Sequence, residues 1–102
     1  MARTKVAALP IPKQLRVGKR IIKVRRERSN AGVLGYCVGG REICLYTHSH
    51  GRAVTVPQAN ETFWHELTHA ILYEMGKPIK QEERFVRTFA KLLSQAVNTA
   101  KF

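Results

Sequence analysis

The sequence predicts a small α+β domain, with an antiparallel sheet from the first half of the chain and two helices from the second. Three observations carry this expectation. Between residues 14 and 56 the apolar segments are short, rich in β-branched residues and separated by glycine-bearing turns. From residue 60 onward, apolar residues recur at spacings of three and four. At 102 residues the chain suffices for one core and is too short for two, so residues 1–102 are read as a single domain.

Each element has its own reason. Met1 to Lys13 is expected to be an extended arm, because Pro10 and Pro12 exclude a helix. Gln14 to Val17 starts a strand, and Gly18-Lys19 turns the chain. Arg20 to Arg26 is a second strand, apolar and β-branched at Ile21, Ile22 and Val24. Arg28 to Gly32 is a loop. Val33 to Val38 and Glu42 to Thr47 are two further strands, with Gly39-Gly40 as the hairpin signal between them. Thr47 to Arg52 reads as a loop, and Ala53 to Val56 as an extended piece leading into Pro57. No helix intervenes among these strands, so the sheet is expected to be mostly antiparallel.

The first helix is expected from Asn60 to Met75. Asn60 serves as N-cap, Glu61 sits where the helix dipole favours an acid, and Gly76 followed by Pro78 stops the helix. Phe63, Leu67, Ala70 and Ile71 cluster on one side of it as the packing face. A second helix runs from about Lys80 to Lys101. Its apolar positions Phe85, Val86, Phe89, Ala90, Leu93, Ala96 and Val97 form one stripe.

The charge is unusual. Eighteen Lys+Arg face seven acids, all of them glutamate, for a net charge of +11. Such a surface attracts nucleic acid or acidic proteins. Ten of the 18 basic residues fall in residues 1 to 30, against Glu27 alone. No apolar run approaches the roughly 20 residues of a transmembrane helix. Val6 to Ile11, broken by Pro10, lacks the apolar core of a signal peptide. A cytoplasmic protein with no membrane partner is therefore expected, with Cys37 and Cys44 as reduced thiols.

The chemistry concentrates in the first helix, at His65-Glu66-Leu67-Thr68-His69. Residues four apart share a helix face, so His65 and His69 stand side by side at a separation that suits one zinc ion. Glu66 lies about 100° round the helix. There it flanks the metal and can reach a water bound to it, the place of a general base in metal-assisted hydrolysis. The packing face lies on the other side, so this helix is expected to hold a core and a site at once.

A catalytic zinc normally takes three protein ligands. Glu74 lies about 180° from His65 and is excluded. Glu82 and Glu83, in the first turn of the second helix, both remain. The reach is adequate: from His69 to Gly76 the helix rises about 10 Å. The residues onward to Glu83, if extended, can return about 23 Å.

His65-Glu66-Leu67-Thr68-His69-Ala70 resembles the zinc-binding helix of thermolysin-like metallopeptidases, the gluzincins. In that family a second helix supplies a glutamate ligand, and its segment is similar to Glu83 through Leu93 here. The resemblance covers about 30 residues, Thr62 to Leu93, and extends to small phage-encoded HExxH proteins. It implies a zincin-like fold and a zinc-dependent metallopeptidase acting on a peptide or protein substrate. One zinc ion would be held by His65, His69 and Glu83, with Glu66 as general base. The resemblance thus selects Glu83 over Glu82. It also implies substrate binding along an edge strand, for which Glu42 to Thr47 is the expected candidate. An oxyanion donor is expected too, from among Tyr46, His48, His50, Tyr73 and Arg87. The match has a gap: Arg87 stands where the family carries an aspartate that orients a zinc histidine, so an orienting partner must come from elsewhere.

Two other readings use different residues. Cys37, Cys44, His48 and His50 contain zinc-type donors, which would make a structural site in a basic nucleic-acid-binding module. The basic N-terminal half alone could contact phosphates in a non-enzymatic protein, although its first aromatic residue is Tyr36, which gives no interleaved stacking platform. Charge also connects these ideas to the peptidase, whose substrate would then be acidic or associated with nucleic acid.

Overall fold

Ile43, Cys44 and Leu45 are consecutive apolar residues, and all three are buried. A strand covered on both faces belongs in the middle of a sheet. The computed structural model, which describes residues 11–28, 32–76 and 80–102, places it there. The main sheet comprises β1 (Gln14–Val17), β2 (Arg20–Glu27), β3 (Gly35–Val38) and β4 (Glu42–Tyr46). Their order is β1-β2-β4-β3.

The sheet is mixed, which corrects the antiparallel expectation. β1 and β2 pair antiparallel, as do β3 and β4, but β2 and β4 run parallel, with Val24 opposite Ile43. The chain leaves β2, skips one strand position to form β3 at the edge, and turns back so that β4 fills the gap. The apolar strand thereby gains two neighbours, while β3, which begins at Gly35, takes the edge. The hairpin turn is as expected: Gly39 and Gly40 both have positive φ, at 47° and 68°, the backbone that a tight two-residue turn requires. The expected 47–52 loop contains a small hairpin, β5 (His48–Ser49) with β6 (Arg52–Ala53). The expected arm lies outside the described residues except for Ile11–Lys13, as do most of the 28–32 loop and Pro78. Lys13 adds to β2 through a hydrogen bond from the Val24 N–H to its carbonyl, 2.9 Å.

Helix α1 (Val56–Met75) starts four residues earlier than expected. Thr55 is its N-cap: the Thr55 hydroxyl accepts from the Gln58 N–H at 3.2 Å, and the Gln58 side chain accepts from the Thr55 N–H at 2.9 Å. Both ends of this capping box satisfy N–H groups the helix leaves open, and Pro57 fits the first turn because its missing N–H is not needed there. Asn60 is therefore no cap. It is buried, and its Oδ1 accepts from Ser94 Oγ at 3.2 Å and Asn98 Nδ2 at 2.7 Å. At the other end Gly76 is left-handed, and its N–H reaches the carbonyls of Leu72 and Tyr73.

Helix α2 (Glu82–Thr99) lies against α1, and α1 lies between it and the sheet. Ile22, Ile43 and Leu45 from the sheet meet Phe63, Leu67 and Ala70 from α1 in the main core. Ile71, expected in that face, is 39% exposed. On α2 only Val86, Ala90 and Ser94 are buried, so the covered stripe is narrower than the apolar one. Among the described residues, no helix is long and apolar enough to cross a membrane.

Candidate metal centre

The caps of α1 determine where the histidines stand. Held from Thr55 to Gly76, the helix carries His65 and His69 near its middle, one turn apart, with ring centroids 5.1 Å from each other. Both rings face the start of α2. That helix begins directly after Gln81, which is left-handed at φ 57°, so Glu82 and Glu83 enter in its first turn. Acidic side chains are favoured at this end by the helix dipole.

The two glutamates, left open by residue type and spacing, make different contacts. The Glu83 carboxylate spans both histidines: one oxygen lies 2.9 Å from His65 Nε2 and the other 2.9 Å from His69 Nε2. Glu82 instead approaches the far side of the second ring, 2.8 Å from His69 Nδ1. Donor atoms of His65, His69 and Glu83 all lie within 4.8 Å of one another. Around a tetrahedral zinc with bonds of about 2.0–2.1 Å, donors sit about 3.3 Å apart, so this set is of the right type and spacing. The Glu82 contact fixes the orientation of the His69 ring and leaves Nε2 directed at the common centre, as an outer-shell carboxylate does for a metal-binding histidine. This is the orienting partner missing at Arg87. The side chain of Arg87 is 3.9 Å from Glu83 instead.

Glu66 points away from α2, toward the sheet. It is buried, and burial pushes its carboxyl above the ordinary range; the neighbouring His65 and His69 oppose the shift, and Glu83 adds to it. A carboxylate raised toward neutrality is better matched to taking up and releasing a proton. His69 also titrates above its usual value. Its partial burial acts against this, and the hydrogen bonds to Glu82 and Glu83 overcome it.

His65, Glu66, His69 and Glu83 line a cleft of about 720 Å³ whose opposite wall is β3 and the Gly39-Gly40 turn. The edge strand beside the candidate centre is therefore β3. Glu42–Tyr46 pairs on both sides, with β2 and with β3, which corrects the expectation that it forms the edge. Glycine at position 35 makes the approach possible. A Cβ there would stand 2.7 Å from the Cys44 carbonyl oxygen and 2.9 Å from the Thr62 methyl, so α1 could not pass β3 as closely. Of the residues considered as oxyanion donors, Tyr73 lines this cleft and Arg87 an adjoining one; Tyr46, His48 and His50 line neither.

The alternative ligands are not brought together. Cys37 pairs with Ile43 and Cys44 with Tyr36, which puts the two thiols on opposite faces of the sheet. Among the described residues, His65, His69 and Glu83 form the one group of three metal-type donors. The basic N-terminal half is partly neutralised from within. Arg20 pairs with Glu74 at 2.7 Å, and Arg25 holds both Glu27 and Glu42. Those two arginines are thereby occupied, which weakens a phosphate-binding reading of this sheet.

A pH experiment checks the electrostatics. With its pKa raised, His69 keeps a proton on the metal-free pocket above the usual imidazole range of about 6.5, and a metal must displace it. The sign follows. Raised pKa values of His69 and Glu66 stabilise the metal-free fold at low pH, and this is lost as pH rises through them, while metal affinity increases over the same range. The rise in melting temperature on adding zinc should therefore be larger at pH 7.5 than at pH 6. An equal or smaller shift at the higher pH would contradict this assignment. Neither a family model, nor a curated protein, nor a solved structure matches the chain.

Proposed function

We propose that this chain is a zinc-dependent metallopeptidase with a gluzincin-like site. The observation that carries the reading is the convergence of His65 Nε2, His69 Nε2 and the Glu83 carboxylate beside a buried Glu66. His65, His69 and Glu83 would hold the ion. When bound, zinc would polarise a carbonyl and bring the pKa of its coordinated water toward 7.

The protein's own residues supply the rest. Glu66 accepts a proton and later returns it to the leaving amine, a role suited to a carboxyl lifted by burial. Glu82 holds His69 in one ring orientation. The free edge of β3 offers unpaired backbone groups along the cleft, to which an extended substrate can add as a further strand. With a net charge of +11, acidic peptides and nucleic-acid-associated proteins would be the favoured substrates.

The test is elemental analysis of the purified protein together with hydrolysis of unstructured peptides of graded acidity. We expect one zinc per chain, cleavage that is abolished by a chelator and restored by zinc, and a preference for acidic peptides that fades with salt. Protein that takes up no zinc, or cleavage indifferent to chelation, would sink the proposal.

A further inference from the structure

Helix α2 is apolar around more of its circumference than α1 covers. Val86 and Ala90 are buried, but Phe85, Phe89 and Leu92 remain 42%, 44% and 57% exposed. They recur at intervals of four and three, so they form a continuous stripe along the helix. The Phe85 and Phe89 rings stack, with centroids 5.3 Å apart. A shallow hollow of about 540 Å³ lies over these three side chains, and Lys80 and Arg84 stand on its rim. Large exposed apolar side chains gathered in one place mark a surface that something covers.

The charges beside the stripe say what kind of partner fits. Taking Phe85 as zero, Arg84 and Lys91 lie at about 260° and 240°, along one flank. Neither makes an ion pair with an acid among the described residues. On the other flank the first charged group is Glu82, which His69 engages. A second copy of the chain would bring another +11 to this face. It has no acidic flank to offer Arg84 and Lys91. A lipid surface is flat and leaves a hollow unfilled. A helix with an apolar ridge and acidic flanks satisfies both features, because its ridge enters the hollow and its carboxylates meet the cations.

We propose that the Phe85-Phe89-Leu92 face of α2 docks an acidic amphipathic helix from another protein. The face lies outside the candidate metal centre, and its test needs neither zinc nor hydrolysis.

The probe is a labelled synthetic peptide with leucines spaced three and four apart and glutamates on the flanks, followed by fluorescence anisotropy. A control peptide has the same composition with the leucine spacing scrambled. We expect saturable binding of the patterned peptide, about tenfold tighter than the scrambled one. Phe89→Ser should weaken it about tenfold, as a lost apolar anchor does. Arg84→Glu with Lys91→Glu should weaken it too, and should flatten its salt dependence. The double charge variant alters only exposed side chains, so it gives an answer even if Phe89→Ser lowers stability. Equal binding of the two peptides, or affinity unchanged in both variants, would overturn the proposal. So would a dimer in sedimentation that Phe89→Ser splits, or binding to phosphatidylglycerol vesicles without binding to the peptide.

Discussion

Glu66→Gln is expected to leave zinc bound while lowering peptide hydrolysis by about 10²- to 10⁴-fold, the usual contribution of a positioned proton acceptor. Glutamine has the same shape and can occupy the same buried position between α1 and the sheet. It cannot take up a proton. The substitution should not cost stability. Burial raises the Glu66 pKa, which means that the folded protein disfavours the charged form. A neutral amide avoids that cost, so the melting temperature should hold or rise. This combination distinguishes lost chemistry from lost structure, since a misfolded variant would lose zinc and melt early. Initial rates, zinc content and a thermal melt on one preparation decide it. Hydrolysis within about threefold of wild type would remove Glu66 from the proton-transfer role.

The parts of this molecule that were legible in its sequence are those governed by local rules. Gly39-Gly40 marked a hairpin, Gly76 marked a helix end, and the spacing of His65 and His69 placed two rings on one face. Each depends on residues a few positions apart. The order of the strands depends on distant ones. Nothing near β2 says that the next strand will skip a place, although the consecutive burial-prone residues Ile43, Cys44 and Leu45 were a usable sign that β4 lies at the centre. The start of α1 was misjudged for another reason. Asn60 is a good capping residue by type, but Thr55 and Gln58 form a reciprocal cap upstream, and Asn60 instead serves the contact with Ser94 and Asn98. Tertiary demand overrode local preference there.

The glutamates of α2 show the same limit at the site itself. They are adjacent, share a residue type and sit in one helical turn, so spacing could not separate them. Their directions do, because neighbouring residues on a helix point about 100° apart. Glu83 meets both Nε2 atoms, while Glu82 meets Nδ1. A graded result follows. Glu82→Gln should weaken zinc binding roughly 10- to 100-fold, as changes to an outer-shell partner do. Glu83→Gln should weaken it further than that, because an amide is a poor zinc ligand and two histidines alone make an incomplete set. Titration with a competing chelator of known affinity measures both. The metal-free variants supply an independent check. Each removes a carboxylate that raises the His69 pKa, so that pKa should fall in both, observable by NMR titration of the ring. The two variants would then perturb His69 in the same direction yet differ in zinc affinity. That divergence can arise only if Glu83 touches the ion and Glu82 does not. If Glu82→Gln proved the more damaging to zinc binding, the two roles would be exchanged and α2 would have to turn in solution to present Glu82.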